Sequence, residues 1–402
     1  MTHFIMLMLT LAGAQQATPP CADAGLTLPK GFCARLVGDN LGGVRQLVVS
    51  SSGVLYASIQ EGGDGHGVLV FADPDHDGTL NRLGSFGPEG VNDVELHAGF
   101  LYAALPDRIV RWRVSDAAPV PAGAPESVVS GLPARGGHRA KSMAFKGDSL
   151  FVNFGSHTNS CQQQDRTNRS AGVDPCTELE ERAGIWVFSA DRPGQTVRDG
   201  SRYATGLRNA MALVIQPGTG TLYAAVHGRD QLAQNWGYST EVGAEDPAEE
   251  FGIITHRANY GWPYCYYSTV RKAKVLAPEY GGNGSSTDRC RDLVQPLIAF
   301  PGHWAPLALA FNPGDGLGDH YRGGAFLAFH GSWNRAPLPQ AGFRVVYIPF
   351  DRGRPSGTYE TFAAGSEGPT SLRASGVALG PDGALYIADD HAGRIWRVTR
   401  SS

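Results

Sequence analysis

Residues 372–400 read LRASGVALGPDGALYIADDHAGRIWRVTR, a succession of short apolar segments and turns. An apolar segment leads into the turn GPDG (380–383), LYIA follows as a second apolar segment, and RIWRV forms a third. Short runs of this kind, separated by turn-forming residues, are typical of β-strands. The same phrase recurs five times earlier in the chain, with copies that begin at Val44, Val91, His138, Leu207 and Trp304.

The copies begin about 45 to about 100 residues apart. Strands repeated at such a period are the signature of a β-propeller, in which each repeat forms one blade of about four strands. The sequence therefore predicts an all-β fold, a six-bladed β-propeller, with residues 15–402 as a single domain that carries disulfide-pinned loop inserts. Two β-sandwiches also use short strands, but they explain the recurrence less well. Helical periodicity is confined to a short predicted turn of helix at 246–251 (DPAEEF).

Composition excludes some partners of a chain of this length. The 402 residues include 34 Lys and Arg against 38 Asp and Glu, a net charge of −4. Nucleic-acid binding needs a concentrated basic face, so no nucleic-acid partner is expected. Hydrophobic residues make up 42% of the chain, enough to form a core, and 53 Gly and 26 Pro indicate many turns.

The N-terminus predicts export. Residues 4–14 (FIMLMLTLAGA) form an uncharged apolar run that ends in a small-x-small pattern, which predicts a signal peptide at 1–14 and a mature chain from Gln15. Because His3 stands where a basic residue is usual, a short buried strand is the alternative. No other segment is long and apolar enough for a transmembrane helix. We expect a secreted or periplasmic protein, without membrane insertion of the mature chain.

The cysteines agree with export. They form three local couples: Cys21 with Cys33, Cys161 with Cys176, and Cys265 with Cys290. In an oxidising compartment an even, clustered set is typical of disulfides, and pairing of neighbours is the simplest connectivity. Metal binding is the alternative, but no couple has C-x-x-C spacing and none has a histidine at zinc-finger distance.

Basic side chains gather just before the predicted first strands of several repeats. In a propeller these positions face the mouth of the central channel, because the innermost strands line it. Guanidinium groups there suit a small polyanion, whose carboxylates they bind in bidentate fashion. Each arginine taken alone could equally be a solvated loop residue. The residues before these strands are Arg45, His138, Arg139, Lys141, Arg208, Asn209, His303, Trp304 and Arg373.

Six phrases carry a family resemblance: GGHRAKSMAF (136–145), TGLRNAMAL (205–213), HGRDQL (227–232), NYGWPYCY (259–266), FHGSWNR (329–335) and GVALGPDGALYIADDHAGRIWRV (376–398). From about Leu28 to the C-terminus the chain resembles the soluble glucose/sorbosone dehydrogenases that depend on pyrroloquinoline quinone (PQQ). NYGWPYC and HGSWNR are the distinctive phrases. The insert from Cys161 to Ile185 resembles the sorbosone-dehydrogenase-like branch.

The resemblance implies a quinoprotein oxidoreductase. It would oxidise a sugar or sugar aldehyde, of aldose or sorbosone type, by hydride transfer to PQQ, and then pass electrons to an unidentified acceptor. PQQ is a tricarboxylated quinone, so it would be an anionic ligand for the cationic mouth of the channel. His138 stands where the family has the histidine that takes the hydroxyl proton of the sugar, and an imidazole suits a general base at neutral pH. A loop histidine without a catalytic role is the alternative.

The resemblance also implies residues that hold the cofactor. Arg208 and Asn209 are expected at the quinone oxygens, where Arg208 also helps to hold the charge that develops on reduction. A Ca²⁺ ion is expected to bridge the cofactor and the backbone carbonyls of Gly228 and Arg229, since a hard cation takes oxygen ligands and polarises the quinone. The predicted cofactor-binding residues are Arg45, Arg208, Asn209, Asn334, Arg335 and Arg373.

The chain departs from the glucose-oxidising members at two positions. They carry an aspartate beside the catalytic histidine and another one strand later, where this chain has Gly137 and approximately Ser156. Glucose is therefore not singled out as the substrate.

Two rival functions and a second metal site stay open. A calcium-dependent lactonase of propeller fold would need carboxylates and amides at the mouth, and this chain offers only Asn92, Asp93 and Asn209 there. A non-catalytic propeller that binds a partner is the other rival. Separately, Asp73 to Asp77 open like a calcium loop, which predicts either a weak Ca²⁺ site or a polar hairpin turn.

Overall fold

The fold is a closed ring of six sheets. It is seen in a computed structural model, which describes residues 24–75 and 78–401. Each of the six sheets has four or five strands. The first strand of each sheet contacts the first strand of the next, and the sixth sheet contacts the first in the same way. The predicted six-bladed β-propeller is therefore confirmed.

Blades 1 to 3 take their strands in chain order from the axis outward. Blade 1 consists of Val44–Val49, Leu55–Ile59, Val68–Ala72 and Asn81–Phe86. Blade 2 consists of Asp93–His97, Phe100–Ala104, Arg108–Arg113 and Glu126–Ser130, with Gln195–Thr196 added at its outer edge. Blade 3 consists of Met143–Lys146, Ser149–Phe154, Gly184–Ser189 and Ser201–Thr205.

Blades 5 and 6 each borrow a strand from the N-terminal part of the chain. Blade 4 consists of Ala212–Ile215, Leu222–Val226, Glu249–Ile253 and Ile298–Phe300. Blade 5 consists of Pro306–Phe311, Ala325–Phe329, Arg344–Ile348 and Glu360–Gly365, with Leu26–Thr27 at its edge. Blade 6 consists of Ala374–Leu379, Leu385–Asp389 and Arg394–Arg400, and Phe32–Gly38 is its outermost strand. Because that strand precedes blade 1 in the chain, its pairing closes the ring.

Apolar side chains fill the spaces between neighbouring blades. Val70 of blade 1 shares one buried cluster with Trp112 of blade 2, and Phe326 of blade 5 shares another with Trp396 of blade 6. Successive side chains of a strand point to opposite faces of its sheet, so a strand covered on both faces is apolar throughout. Leu55–Ile59 (LYASI) is buried at all five positions for this reason.

Long inserts carry the remaining elements. The described residues contain two α-helices, Leu232–Trp236 and Thr240–Glu245, and two separate hairpins, Cys265–Ser268 with Ala273–Leu276 and Phe350–Asp351 with Arg354–Pro355. The 3₁₀-helices are Thr177–Glu180, Val197–Asp199, Pro278–Tyr280, Asp288–Cys290, Asp319–Tyr321 and Trp333–Arg335. The predicted disulfides Cys161–Cys176 and Cys265–Cys290 are both present.

The predicted bond between Cys21 and Cys33 differs from these two, because it is not among the disulfides seen between described residues. Cys33 lies on the strand Phe32–Gly38, where it is buried and disulfide-bonded. Cys21, the partner predicted for Cys33, lies outside the described residues. The oxidised state of Cys33 agrees with the prediction, and the identity of its partner stays a prediction.

The predicted turn of helix at 246–251 is wrong. The helix ends at Glu245, and Glu249–Ile253 is the third strand of blade 4. Pro247 disfavours the helical conformation of the residue before it. Glu249 and Phe251 are both buried, and their spacing of two residues fits a strand.

Two further predictions fall outside the described residues. These are the signal peptide at 1–14 and part of the Asp73 to Asp77 motif. Within 24–75 and 78–401, no helix has the length and apolar character needed to cross a membrane.

One edge of the ring brings two sets of loops together. In blade 4 Ala212 pairs with Ala225, and in blade 6 Ala374 pairs with Asp389. Because neighbouring strands are antiparallel, the loop before each first strand and the loop after each second strand meet at the same mouth of the channel. Residues that follow second strands therefore join the predicted cationic loops.

Candidate functional site

His138 lies in the loop before the first strand of blade 3, and Ser156 holds its ring. Nδ1 lies 3.0 Å from the carbonyl oxygen of Ser156 and 2.9 Å from its Oγ. The Ser156 hydroxyl donates to the Thr158 carbonyl at 2.6 Å, so its oxygen accepts from the imidazole. Nδ1 therefore carries the proton, and Nε2 presents a lone pair. No hydrogen bond from a described residue reaches that nitrogen.

Burial and a neighbouring cation keep His138 neutral. Desolvation lowers the pKa of His138 well below 6.5, the Arg208 guanidinium lowers it further, and Asp230 opposes both. Ser156 supplies only neutral acceptors to the ring. The ring is therefore oriented without the charge that would raise its basicity.

Lys141 fixes the loop that carries His138. Its Nζ donates to the carbonyl oxygen of Pro133 at 2.9 Å and to that of Arg139 at 2.6 Å, on either side of the histidine. The side chain is fully buried, and desolvation lowers its pKa to about 7. Although it was predicted at the cationic mouth, Lys141 thus acts on backbone carbonyls.

Arg208, before the first strand of blade 4, is buried and hydrogen-bonded on several sides. Nη2 donates to Asp230 Oδ2 at 2.9 Å and to Asn159 Oδ1 at 3.0 Å. Nη1 donates to the Gly228 carbonyl at 2.7 Å. The guanidinium is thus oriented before any ligand binds.

Asp230 is a central residue of the site that was not singled out from the sequence. Besides Arg208, it accepts from Arg166 Nη2 at 2.8 Å and from Asn334 Nδ2 at 2.7 Å, and His303 Nδ1 lies 3.6 Å away. Burial favours its neutral form, but Arg208, His303 and Arg166 together hold the pKa of Asp230 well below its usual value. One carboxylate therefore joins blades 4 and 5 to the 161–176 disulfide loop, which contributes Arg166.

Gly228 and Arg229 follow the second strand of blade 4. The Gly228 amide donates to Glu249 Oε2 at 2.9 Å, and burial raises the pKa of Glu249 to about 7. The Arg229 guanidinium is turned away into a buried pair with Glu279, 2.5 Å from each oxygen. No hydrogen bond from a described residue reaches the Arg229 carbonyl.

Arg45 belongs to a second group across the mouth. Its Nη1 contacts Asp390 Oδ2, and His330 Nε2 lies 2.9 Å from Asp390 Oδ1. Burial alone would raise the pKa of Asp390, but His330 and Arg45 lower it, so the carboxylate is ionised. Arg45 Nε is buried and has no partner among the described residues.

The other predicted cofactor-binding residues are seen in contact with protein groups. Arg335 donates to the Ala244 carbonyl at 2.6 Å and also contacts Gly302, Pro339 and Glu245. The Arg373 guanidinium lies over the Phe343 ring, 5.3 Å from its centroid. Asn209 Oδ1 accepts from Asn153 Nδ2 at 3.1 Å.

Two buried polar atoms that lack a hydrogen-bond partner fit a ligand with both acceptor and donor groups. Arg45 Nε is a buried donor and Asn334 Oδ1 is a buried acceptor, and neither has a partner within the described residues. Buried polar atoms are nearly always hydrogen-bonded, so each needs an explanation. PQQ supplies both carboxylates and an N–H group, so the residues present fit it. Residues 24–75 and 78–401 contain no group of three or more His, Cys, Asp or Glu side chains arranged to hold a metal ion.

Three residues of the site that the sequence analysis did not assign share one position in the fold. Asp230, His330 and Asp390 all lie within a few residues after the second strand of their blade. In the loops after second strands the sequence prediction considered only Gly228, Arg229, Asn334 and Arg335, so these three residues were not assigned.

Comparison with known proteins agrees with this geometry. A family model described as TrAA12-like matches residues 26–401. The pyrroloquinoline quinone-dependent pyranose dehydrogenase of Coprinopsis cinerea is 27% identical over 263 residues, which are 55% of this chain and 35% of that protein. The chain spans less than half the length of the curated relatives it matches, 48% and 35%.

Solved structures share the fold. A calcium structure of the Trichoderma reesei carbohydrate-active enzyme of family AA12 has a TM-score of 0.77 and 18% identity, covering 96% of this chain and 99% of that one. The holo form of the PQQ domain of pyranose dehydrogenase from Coprinopsis cinerea has a TM-score of 0.76 and 18% identity, covering 95% and 98%.

Proposed function

The chain belongs to the TrAA12-like family, and from this membership we propose that it is a quinoprotein that oxidises a sugar or sugar aldehyde, with PQQ as hydride acceptor. The 27% identity to a PQQ-dependent pyranose dehydrogenase supports the class of cofactor and substrate. The aldose or sorbosone type of substrate is part of the proposal.

The orientation of His138 carries this proposal. Its Nδ1 proton is held by Ser156, so Nε2 is an unprotonated base at the mouth of the channel. Such a base takes the proton of a sugar hydroxyl, which is typically worth about 10²–10⁴-fold in rate. Because its pKa is lowered, the imidazole is already neutral at pH 7. It needs no prior deprotonation.

Two groups of side chains would hold the cofactor. Arg208, oriented by Asp230 and Asn159, faces it from blade 4, and Arg45, oriented by Asp390, faces it from blade 1. Arg45 Nε, a buried donor with no partner among the described residues, would meet a carboxylate, and Asn334 Oδ1, a buried acceptor that also lacks one there, would meet an N–H group. When bound, PQQ supplies the two-electron acceptor that the side chains of this chain lack. Cofactor contacts by Asn209 and Arg373 stay part of the proposal, whereas Arg335, which donates to the carbonyls of Ala244 and Gly302, is proposed to support the fold of its loop.

A Ca²⁺ ion at the carbonyls of Gly228 and Arg229 belongs to the same proposal. A carbonyl oxygen has two lone pairs, and the Arg208 guanidinium at 2.7 Å uses one of those of Gly228. The Arg229 carbonyl receives no hydrogen bond from a described residue. Oxygen ligands of this kind suit a hard cation.

We also propose an exported enzyme. The signal-peptide pattern at 1–14 and the disulfides Cys161–Cys176 and Cys265–Cys290 support a secreted or periplasmic location. The acceptor that reoxidises the cofactor is unidentified.

The deciding experiment titrates purified apo-protein with PQQ, with and without Ca²⁺, and follows absorbance. Dye reduction is then measured on a panel of aldoses and sorbosone. Saturable uptake with sugar-dependent dye reduction is the expected result. No uptake at micromolar PQQ would overturn the proposal. Uptake that does not require Ca²⁺ would rule out only the proposed role of the metal ion.

A further inference from the structure

Asp390 joins three blades on the side of the mouth away from His138. It follows the second strand of blade 6 and accepts from His330 of blade 5 at 2.9 Å. Its other oxygen contacts Arg45 of blade 1. All three side chains are largely buried, at 14% exposure for Asp390 and Arg45 and 22% for His330. We call these residues the Asp390 cluster.

Both ring nitrogens of His330 face oxygen atoms that can only accept. Nε2 faces the Asp390 carboxylate, and Nδ1 lies 2.9 Å from the carbonyl oxygen of Gly331. A neutral imidazole has one N–H, so its other nitrogen would direct a lone pair at an oxygen. An imidazolium has two donors and satisfies both contacts. Only the doubly protonated ring therefore donates in both contacts.

We propose that His330 is a cofactor-positioning residue: as an imidazolium it leaves the Asp390 cluster with one net positive charge, which attracts the carboxylates of the bound quinone. The identity of this anion rests on the proposed function. Without the proton on His330, the charges of Arg45 and Asp390 would cancel, and the Asp390 cluster would have no net charge. His330 acts through Asp390 on Arg45, whose Nε is buried and has no hydrogen-bond partner among the described residues.

The second carboxylate of the mouth has the same arrangement. Asp230 is shared by two arginines, Arg208 and Arg166, so the positive charges of this group also outnumber its one negative charge. Two cations around each buried carboxylate hold the arginine side chains in place. The positive charge that remains favours binding of an anion between the Asp230 group and the Asp390 cluster. In the Asp390 cluster, His330 has the place of the second arginine.

Several charged groups surround His330. Asp390 faces it from blade 6, and Arg45 lies behind Asp390 on blade 1. From blade 4, Glu249 accepts from the Ala305 amide, and the Ala305 carbonyl accepts from the His330 amide. Since Glu249 and His138 titrate as well, only the difference between wild type and a His330 variant isolates this residue.

The test measures PQQ affinity of the apo-protein from about pH 5 to 8, the range in which histidine changes charge. His330→Gln keeps a donor for Asp390 but removes the charge. We expect about tenfold weaker binding than wild type at the acidic end and equal binding at the alkaline end. His320→Gln is the matched control, because His320 pairs with Glu360 at 2.7 Å on the exposed surface. It should bind PQQ as wild type does.

A second measurement does not depend on PQQ. Nitrogen-15 spectra of the histidine rings of apo-protein, with His330 assigned from the His330→Gln variant, should show protons on both of its nitrogens at neutral pH. One unprotonated nitrogen there, or identical affinity profiles for wild type and variant, would overturn the inference. If wild type binds no PQQ at all, the proposed function fails, and the positioning role fails with it even when the ring is doubly protonated.

Discussion

Arg208 Nη2 lies 2.9 Å from Asp230 Oδ2, and both side chains are buried at the mouth of the propeller. Arg208 precedes the first strand of blade 4, and Asp230 follows the second. The ion pair therefore fastens together the two loops that meet at this edge. It also orients the guanidinium that is proposed to meet the quinone.

Asp230→Asn should destabilise the apo-protein. Breaking a buried ion pair leaves Arg208 without its compensating charge, which typically costs about 3–5 kcal/mol in the free energy of unfolding. Denaturant unfolding measures the loss. Asp64→Asn is the control, because Asp64 pairs with Arg82 at the surface and should change stability little. Equal losses for the two variants would contradict the structural role of Asp230.

His138→Ala should separate binding from chemistry. We expect PQQ affinity close to that of wild type and a loss of turnover of about 10²–10⁴-fold, because the base is gone. His157→Ala changes an exposed histidine of a neighbouring loop and serves as the control. Dye reduction at saturating PQQ measures turnover. Turnover near the wild-type rate would remove His138 from the mechanism.

The pH profile should move in opposite directions in two variants. His138 must be neutral to act, and its lowered pKa places the acid limb of turnover below pH 6.5. Arg208 lowers this pKa, so Arg208→Gln should move the limb to higher pH. Asp230 raises it, so Asp230→Asn should move the limb to lower pH. Profiles of kcat at saturating PQQ measure both shifts, and movement in the same direction would rule out His138 as the titrating group.

Arg208 and Arg335 should respond differently to lysine. Arg208→Lys should weaken PQQ binding about tenfold or more, since a lysine cannot reproduce the fork that Asp230 and Asn159 orient. Arg335 donates chiefly to backbone carbonyls, so Arg335→Lys should lower the Tm and leave PQQ affinity nearly unchanged. Titration of each apo-variant measures affinity. A large loss of affinity for Arg335→Lys at unchanged Tm would instead support direct cofactor binding by Arg335.

The Cys161–Cys176 disulfide should matter to the site as well as to stability. It closes the loop that carries Arg166, which donates to Asp230 at 2.8 Å. Replacing both cysteines by serine should lower the free energy of unfolding by about 2–4 kcal/mol and weaken PQQ binding. The same double replacement at Cys265 and Cys290 compares a disulfide whose loop does not contain Arg166. Equal PQQ affinity for the two double variants would show that the loop does not act through Arg166.

The repeat pattern was enough to predict the propeller, because each blade is built from neighbouring segments. LYASI in blade 1 and LYIAD in blade 6 are buried throughout for the same reason, and both are readable as strands. The short segment DPAEEF is an exception, because its pattern predicts a helix although its last three residues belong to a strand. Two acidic residues before a phenylalanine fit a helix as well as a strand, and pairing with residues 223–226 and 298–300 makes the segment a strand.

His138 and Arg208 could be singled out from sequence, because each stands beside a first strand within a recognisable phrase. Their partners could not. Asp230 and Asp390 lie in loops that the sequence places far from the residues they bind: Asn334 is 104 positions from Asp230, and Arg45 is 345 positions from Asp390. Ser156 was noted only as a missing aspartate, although its hydroxyl and carbonyl orient the imidazole.

The six blades and the disulfides Cys161–Cys176 and Cys265–Cys290 could be read from the chain alone, because strand patterns and cysteine spacing are local properties. Which of the basic residues pair with carboxylates became known only from the folded structure. Packing of neighbouring blades sets Asp230 among Arg208, Arg166 and Asn334, and closure of the ring sets Asp390 between Arg45 and His330. Charge pairing depends on distance in space, and residues hundreds of positions apart become neighbours only when the last blade meets the first.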